Sequence, residues 1–177
     1  GVRPDALEDA VAALRRAGRR SRLLYTVPAY NNPAGHTMSL ARRQEIAAIV
    51  ARSGVTLLED DVYRHLWYDS IPPPSIQAVA PPGSVIRLGS FSKLIAPGLR
   101  LGWLIAEPAV VRTLADSGYL DSGGGQSHTM AHVTGAFIRL GLLDESVRAL
   151  RSAYRLRRDT LLAALGRHLQ ELLEEVF

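Results

Sequence analysis

The sequence predicts an α/β fold in which helices cover a mostly parallel sheet. Short apolar runs of strand length recur along the chain and alternate with longer segments of helical periodicity. Strands that are apolar throughout and are separated by helices are typical of parallel sheets. Charged and reactive side chains follow several of these runs, at the place where such sheets bind ligands. At 177 residues the chain is long enough for one domain with a sizeable core.

Strands and helices are expected in alternation. Four apolar runs are predicted to be strands: residues 23–27, 55–58, 85–88 and 101–106. Five segments are predicted to be helical: residues 5–18, 39–52, a helix that starts at Pro108, 127–140 and 144–176. Ser39 is the predicted N-cap of the second helix, and Gly54 follows the end of that helix, as glycine commonly does. Proline-rich loops follow the second strand.

The composition disfavours several classes of protein. The formal net charge is +4, and the arginines lie in Ala- and Leu-rich helical segments that also carry Asp and Glu. Such arginines are typical of solvated helix faces rather than of a nucleic-acid-binding surface. Because the chain has no cysteine, it forms neither a disulfide nor a thiolate metal site. No apolar run approaches the roughly 20 residues of a membrane span, so we expect a cytoplasmic protein.

Lys93 is the only lysine among the 21 lysine and arginine residues of the chain. It lies in a serine-flanked turn, Gly89–Leu94, after a predicted strand. Arginine replaces lysine as a surface charge but not as an amine nucleophile, because the guanidinium stays protonated whereas a lysine amine can lose its proton and attack a carbonyl. A single retained lysine therefore indicates covalent chemistry, most simply a Schiff base.

Four short motifs follow one another in the chain. They are Asn-Asn-Pro-Ala-Gly at 31–35, Glu-Asp-Asp-Val-Tyr at 59–63, Ser-Phe-Ser-Lys at 90–93 and Gly-Leu-Arg-Leu-Gly at 98–102. In order and spacing they resemble the class I/II aminotransferases, which are pyridoxal-phosphate (PLP) enzymes of the aspartate-aminotransferase fold type. The resemblance extends from about residue 23 to about residue 105. It implies that the chain is the central part of the PLP-binding large domain of such an enzyme.

The resemblance assigns the central chemistry to Lys93 and Asp60. Lys93 would hold PLP as a Schiff base and then move the proton between the substrate Cα and the cofactor. Asp60 would pair with the pyridine nitrogen of the cofactor, because a neighbouring carboxylate keeps that nitrogen protonated and the ring electron-withdrawing. Glu59 and Asp61 are expected to point the other way, since side chains alternate along a strand.

The other motif residues would hold the cofactor. Tyr63 and Asn32 are matched to the two hydrogen-bond donors to the phenolate oxygen of PLP. Ser90, Ser92 and Arg100 are matched to the phosphate site, where a guanidinium fork suits bidentate binding of phosphate oxygens.

A further stretch resembles a narrower subgroup of the family. Residues 124–128 are similar to the loop that faces the active-site mouth in enzymes acting on 2-aminoadipate, kynurenine and other bulky amino acids. His128 and His132 share a helix face, as in a metal pair, but Glu does not follow His128 and no third ligand is apparent. No metal site is therefore expected.

The resemblance divides the chain into two parts. Residues 1–143 would belong to the large domain, and residues 144–177 would form the long helix that leads to a small domain. The chain lacks an initiator methionine and lacks the family's glycine-containing phosphate loop and its substrate-carboxylate arginine. We therefore expect a fragment of a longer protein, in which the site is incomplete.

The predicted function is transfer of an amino group between an amino acid and a 2-oxo acid, by a protein that is a homodimer when complete. An alternative is the aminotransferase-like, PLP-sensing domain of a winged-helix transcription regulator of the GntR/MocR type. Decarboxylation or elimination on the same fold is a third option. A serine hydrolase of the S-x-x-K type is disfavoured, because its K-T-G strand would need a second lysine.

Overall fold

A computed structural model describes residues 1–124 and 127–169 of the protein. Within these ranges a four-stranded sheet lies with six α-helices, so the expected α/β fold with a mostly parallel sheet and surrounding helices is confirmed. No helix in the described ranges is both long and apolar enough to cross a membrane. The expected helix at 144–176 and the loop at 124–128 extend partly beyond the described residues.

The sheet has the strand order β1-β2-β3-β4. The strands are β1 (Leu23–Thr26), β2 (Thr56–Asp60), β3 (Val85–Ser90) and β4 (Gly102–Ile105). The first three run parallel, whereas β4 pairs antiparallel with β3. The connection from β3 to β4 is too short for the crossover helix that a parallel neighbour requires, so the chain reverses instead.

Six helices accompany the sheet: α1 (Pro4–Arg16), α2 (Leu40–Ser53), α3 (Ile76–Val79), α4 (Pro108–Ala115), α5 (His128–Arg139) and α6 (Leu142–His168). Helix α2 has the ends that its sequence predicts. Ser39 Oγ accepts a hydrogen bond from Arg42 N, and Gly54 closes the helix in the left-handed conformation at φ 70°. The single turn α3 was not predicted, because its four residues are too few for a helical pattern.

The core lies on one face of the sheet. Its buried apolar residues come from α2, α3 and the strands and include Ile46, Val50, Leu57, Ile76 and Val85. Buried and half-buried residues alternate along β2, so its odd-numbered positions face this core. The opposite face carries Leu23 and Tyr25, whose side chains are each 54% exposed. Within the described residues, these β1 side chains on the opposite face are therefore exposed.

The pairing of β3 with β4 depends on a glycine. Gly89 lies directly opposite Trp103, and the indole ring packs over the space where a Cβ atom of Gly89 would be. The guanidinium of Arg87 lies 5.5 Å from the centre of the same indole ring, a cation–π arrangement. The indole thus covers the end of β3, next to the turn that contains Lys93.

Gly89→Ala is expected to lower the free energy of unfolding by about 1–3 kcal/mol, because the new methyl group would overlap the indole of Trp103. Chemical denaturation followed by far-UV circular dichroism measures the change. Gly118→Ala is the matched control, since a Cβ atom there meets nothing within 4 Å. Equal stability of the two variants would show that Trp103 moves aside at no cost.

Candidate active site

The acidic triplet at the end of β2 is divided between the two faces of the sheet. Glu59 is fully buried on the core face, where its carboxylate accepts hydrogen bonds from the backbone N–H groups of Ile76 (2.7 Å) and Gln77 (2.9 Å). The guanidinium of Arg43, also buried, lies 3.8 Å away. Burial raises the pKa of Glu59, and the two backbone donors oppose that rise. Glu59 therefore has a structural role in the core.

Asp61 is buried as well and is paired with arginine. Its Oδ2 accepts from Arg87 Nε at 2.9 Å and lies 2.8 Å from Arg87 Nη2, while Arg64 Nε lies 3.9 Å away. Burial raises the pKa of Asp61, and the charge of Arg87 acts in the opposite direction. The negative charge of Asp61 is thus balanced by Arg87 and Arg64 of the same chain. Asp61 therefore has a structural role.

Asp60 faces away from both neighbours and contacts Tyr25. The Tyr25 hydroxyl donates a hydrogen bond of 2.5 Å to Asp60 Oδ2. This hydrogen bond is the largest of the effects that raise the pKa of the Tyr25 phenol to about 12, and burial contributes to the same rise. The other carboxylate oxygen, Oδ1, is buried and has no hydrogen-bond partner among the described residues. A buried carboxylate oxygen without a partner is costly, so it is available to a bound cation or donor.

Lys93 opens into a cavity of about 610 Å³. The wall includes Tyr63, Ser92 and Lys93 together with further aromatic and apolar residues: Tyr30, Leu66, Tyr68, Pro97 and Tyr154. The lysine side chain is exposed, and its Nζ lies 5.9 Å from the centre of the Tyr63 ring. The only lysine of the chain thus lies at an apolar cavity with a few polar groups, which is the usual composition of a small-molecule site.

The lysine turn is held by hydrogen bonds on both sides. Ser90 Oγ accepts from Ser92 N at 3.1 Å, which starts the short 3-10 turn Phe91–Lys93. After this turn, Leu94 O accepts a hydrogen bond of 2.7 Å from Ser146 Oγ of α6. The turn therefore links the end of β3 to the long helix, and both contacts fix the direction of the Lys93 backbone.

The chain then reverses toward the same turn, as the spacing of its motifs predicts. A second 3-10 turn, Pro97–Leu99, ends at Arg100, which is exposed and left-handed at φ 54°. The next residue, Leu101, accepts a hydrogen bond of 3.1 Å from Phe91 N. Arg100 is thus next to a residue bonded to the lysine turn, although its side chain is outside the cavity wall.

Asn32 lies in a tight turn that also contains Gly35, a residue of the cavity wall. The turn is closed by hydrogen bonds from Asn31 N to His36 O (3.0 Å) and from Gly35 N to Asn31 O (2.5 Å). Gly35 lines the cavity, whereas Asn32 is exposed and does not. The geometry therefore brings the predicted residues Tyr63, Ser92 and Lys93 to one cavity. It leaves another four outside its lining: Asn32, Asp60, Ser90 and Arg100.

Sequence reasoning missed four tyrosines of the site. Tyr25 contacts Asp60, and Tyr30, Tyr68 and Tyr154 line the cavity. Tyr68 and Tyr154 come from distant parts of the chain. Arg158 of α6 connects these parts, because it donates a hydrogen bond of 2.6 Å to Asp69 and also lies over the ring of Tyr68. The positive φ of Tyr30, 50°, is rare for a bulky residue and is the kind of strain found at functional sites.

The two histidines of α5 contact each other. Their Nε2 atoms are 2.8 Å apart, on the exposed face that the i, i+4 spacing predicts. No group of three or more potential metal ligands exists within the described residues. The stretch 124–128, which resembles a substrate loop in sequence, includes Gly125 and Gln126, which lie outside the described residues.

Comparisons with known proteins identify related sequences and structures. The chain is 36% identical over 159 residues to the uncharacterized HTH-type transcriptional regulator YdfD of Bacillus subtilis, a match that covers 90% of this chain and 33% of YdfD. It is 34% identical to aromatic-amino-acid aminotransferase 1 of Thermococcus litoralis, covering 93% of this chain and 39% of that enzyme.

The crystal structure of Pyrococcus horikoshii kynurenine aminotransferase superposes with a TM-score of 0.85 at 32% identity, covering 94% of this chain and 41% of that one. The chain therefore spans well under half the length of each of these three proteins. The family model described as "Aminotransferase class I and II" matches residues 1–174. The resemblance of the four motifs is confirmed, and the chain belongs to the aminotransferase class I and II family.

Proposed function

We propose that the protein is a PLP-dependent aminotransferase that exchanges an amino group between an amino acid and a 2-oxo acid. The observation that carries this proposal is the position of Lys93. The only lysine of the chain lies at a cavity of about 610 Å³ beside Tyr63 and Ser92. The family membership of the chain supports the same assignment.

The residues present fit PLP. When bound, PLP supplies an aldehyde that condenses with amines and a pyridine ring that withdraws electrons from the reacting carbon. The buried and unpartnered Oδ1 of Asp60 is suited to the protonated ring nitrogen, since it is an anionic acceptor that lacks a donor among the described residues. Glu59 is bonded to core groups, and Oδ2 of Asp61 is paired with Arg87. Oδ1 of Asp61 is also buried without a partner among the described residues, but the side chain faces away from the side of the sheet on which Asp60 lies.

Lys93 would act at two atoms. Its Nζ would hold the aldehyde carbon of PLP and, once released by the substrate amine, would take the proton from the substrate Cα. The hydrogen bonds that fix the turn on either side, from Ser92 N to Ser90 Oγ and from Ser146 Oγ to Leu94 O, would keep Nζ within reach of that carbon.

The remaining motif residues would orient the cofactor. Tyr63 lies at the cavity wall beside Lys93, where its hydroxyl would donate to the phenolate oxygen, with Asn32 as the second donor. Ser90, Ser92 and Arg100 would bind the phosphate group. Arg100 is exposed, and its guanidinium is therefore accessible to an anion at the end of the lysine turn.

The tyrosines of the cavity indicate the class of substrate. Tyr30, Tyr68 and Tyr154 give the wall a large aromatic surface, which suits the side chain of a bulky or aromatic amino acid. The similarity to aromatic-amino-acid and kynurenine aminotransferases supports this class of substrate. We also propose that the complete protein is a homodimer, as expected from its family.

A second candidate function is a PLP-sensing domain of a transcription regulator. It is favoured by the 36% identity to YdfD, an HTH-type transcriptional regulator of which the chain covers one third. The same cofactor contacts would then serve to bind PLP without releasing a 2-oxo acid.

One experiment separates the two functions. The purified protein is loaded with PLP, and aromatic amino acids, 2-aminoadipate and aspartate are added in turn. An aminotransferase is expected to bleach the visible absorption of the bound cofactor and to release the matching 2-oxo acid, measured by chromatography. Bleaching or binding without any 2-oxo acid would refute the aminotransferase and favour the regulator.

A further inference from the structure

Tyr25 and Asp60 are diagonal neighbours on the open face of the sheet. Tyr25 lies on β1 opposite Leu58 of β2, and Asp60 follows Leu58 by two residues, so both side chains emerge on the same face. The phenol reaches across the two strands and donates its hydrogen bond of 2.5 Å to Asp60 Oδ2. Strand register therefore sets this contact.

The hydrogen bond makes the two carboxylate oxygens of Asp60 different from each other. One oxygen, Oδ2, is occupied by the Tyr25 hydroxyl, while Oδ1 is buried and without a partner among the described residues. The aspartate side chain rotates about its Cα–Cβ and Cβ–Cγ bonds, so a free carboxylate would sample several orientations. With Oδ2 held, Oδ1 has a single direction, and a ligand that pairs with it meets a preorganised acceptor.

We propose that Tyr25 is a positioning residue, whose hydroxyl holds Asp60 so that Oδ1 pairs with the ring nitrogen of PLP. This inference rests on the proposed function, because it concerns the same cofactor. It adds a residue from β1 that none of the four motifs contains. Tyr25 does not touch the cofactor in this role and acts only through the carboxylate.

The protonation of Tyr25 is suited to this role. The charged or titratable groups that act on the phenol are Asp60 and Tyr63, and both favour its neutral form. The pKa of Tyr25 is about 12, so at neutral pH the phenol is a donor and carries no charge of its own. An ionised phenolate would instead repel Asp60 and release it.

The test compares two ligands that differ by one atom, namely PLP and an analogue with a C–H group in place of the ring nitrogen. Tyr25→Phe is expected to weaken PLP binding about fivefold, the value of one hydrogen bond, and to leave binding of the analogue unchanged. In an Asp60→Asn background the same substitution should have no effect on PLP. Tyr119→Phe is the matched control, because the Tyr119 side chain is 69% exposed.

A merely structural Tyr25 would give a different pattern. Its substitution would weaken both ligands equally and would still act in the Asp60→Asn background, and either result overturns the proposal. If the wild-type protein binds PLP no better than the analogue, the pairing of Asp60 with the ring nitrogen fails and the inference with it. If it does not bind PLP at all, the proposed function fails, which is a separate result.

A second measurement needs neither PLP nor a Tyr25 variant. The carbon-13 resonance of Tyr25 Cζ in the cofactor-free protein reports ionisation of the phenol. Between about pH 9 and about pH 11 it should change little in the wild-type protein and should titrate more strongly in Asp60→Asn, where the pKa of Tyr25 moves back toward the ordinary tyrosine value of about 10. Identical titration of Tyr25 in both proteins would show that the hydrogen bond is absent in solution, and would overturn the proposal.

Discussion

Lys93→Ala is expected to abolish covalent attachment of PLP and to lower kcat/KM by at least about 10⁴-fold, because one side chain both holds the cofactor and transfers the proton. No other lysine exists in the chain to replace it. Borohydride reduction of the PLP-loaded protein, followed by peptide mass spectrometry, locates the attachment. The Lys93 side chain is exposed, so the melting temperature should hardly change.

Lys93→Arg is the matched variant for this experiment. It keeps the positive charge at the cavity but removes the amine that can act as a nucleophile. We expect it to be as inactive as Lys93→Ala, because charge alone performs neither step. Cofactor that is still attached covalently within this chain after reduction of either variant would refute the assignment of Lys93. Activity retained by Lys93→Arg alone would mean that the lysine acts only as a charge.

The parts of the fold that could be predicted from sequence are those in which local chemistry decides. Ser39 and Gly54 mark the ends of α2 because capping and left-handed backbone are properties of single residues. The antiparallel direction of β4 was not predicted, since an apolar run does not show which way a strand runs. That direction follows from the short connection after β3.

The same distinction applies to the site. The alternation of side chains along a strand predicts that Asp60 faces away from Glu59 and Asp61, and the structure has that arrangement. The hydrogen bond from Tyr25 to Asp60 could not be predicted, because it depends on the register of β1 against β2, which is a property of two distant segments. A tyrosine in a strand is also a common packing residue, so the sequence alone does not indicate a role in the site.

The aromatic wall of the cavity was missed for a related reason. Tyr68 and Tyr154 line the same cavity because α6 packs against the loop that follows β2. At this packing contact Arg151 stacks over Trp67, with 3.9 Å between the guanidinium carbon and the ring centre. Such long-range contacts leave no periodic signal in the sequence. The motif residues were found because each lies within a short local pattern, whereas the cavity around them is a tertiary feature.

Asp60→Ala is expected to slow proton removal from the substrate by about 10²–10³-fold, because the ring nitrogen loses its anionic partner and the ring withdraws electrons less strongly. Binding of PLP should weaken much less, by about tenfold, since most contacts to the cofactor remain. Single-turnover kinetics measure the first effect and equilibrium dialysis the second. Asp9→Ala, at an exposed position of α1, is the matched control.

An amino acid carrying deuterium at Cα sharpens this test. If Asp60 acts on proton removal, that step becomes slower than all others in Asp60→Ala, and the isotope effect on kcat should rise relative to the wild-type protein. If Asp60 only contributes to binding, saturating PLP should restore kcat and the isotope effect should not change. Restored turnover at high PLP concentration would therefore remove Asp60 from the chemistry and leave it, like Glu59 and Asp61, as a structural carboxylate.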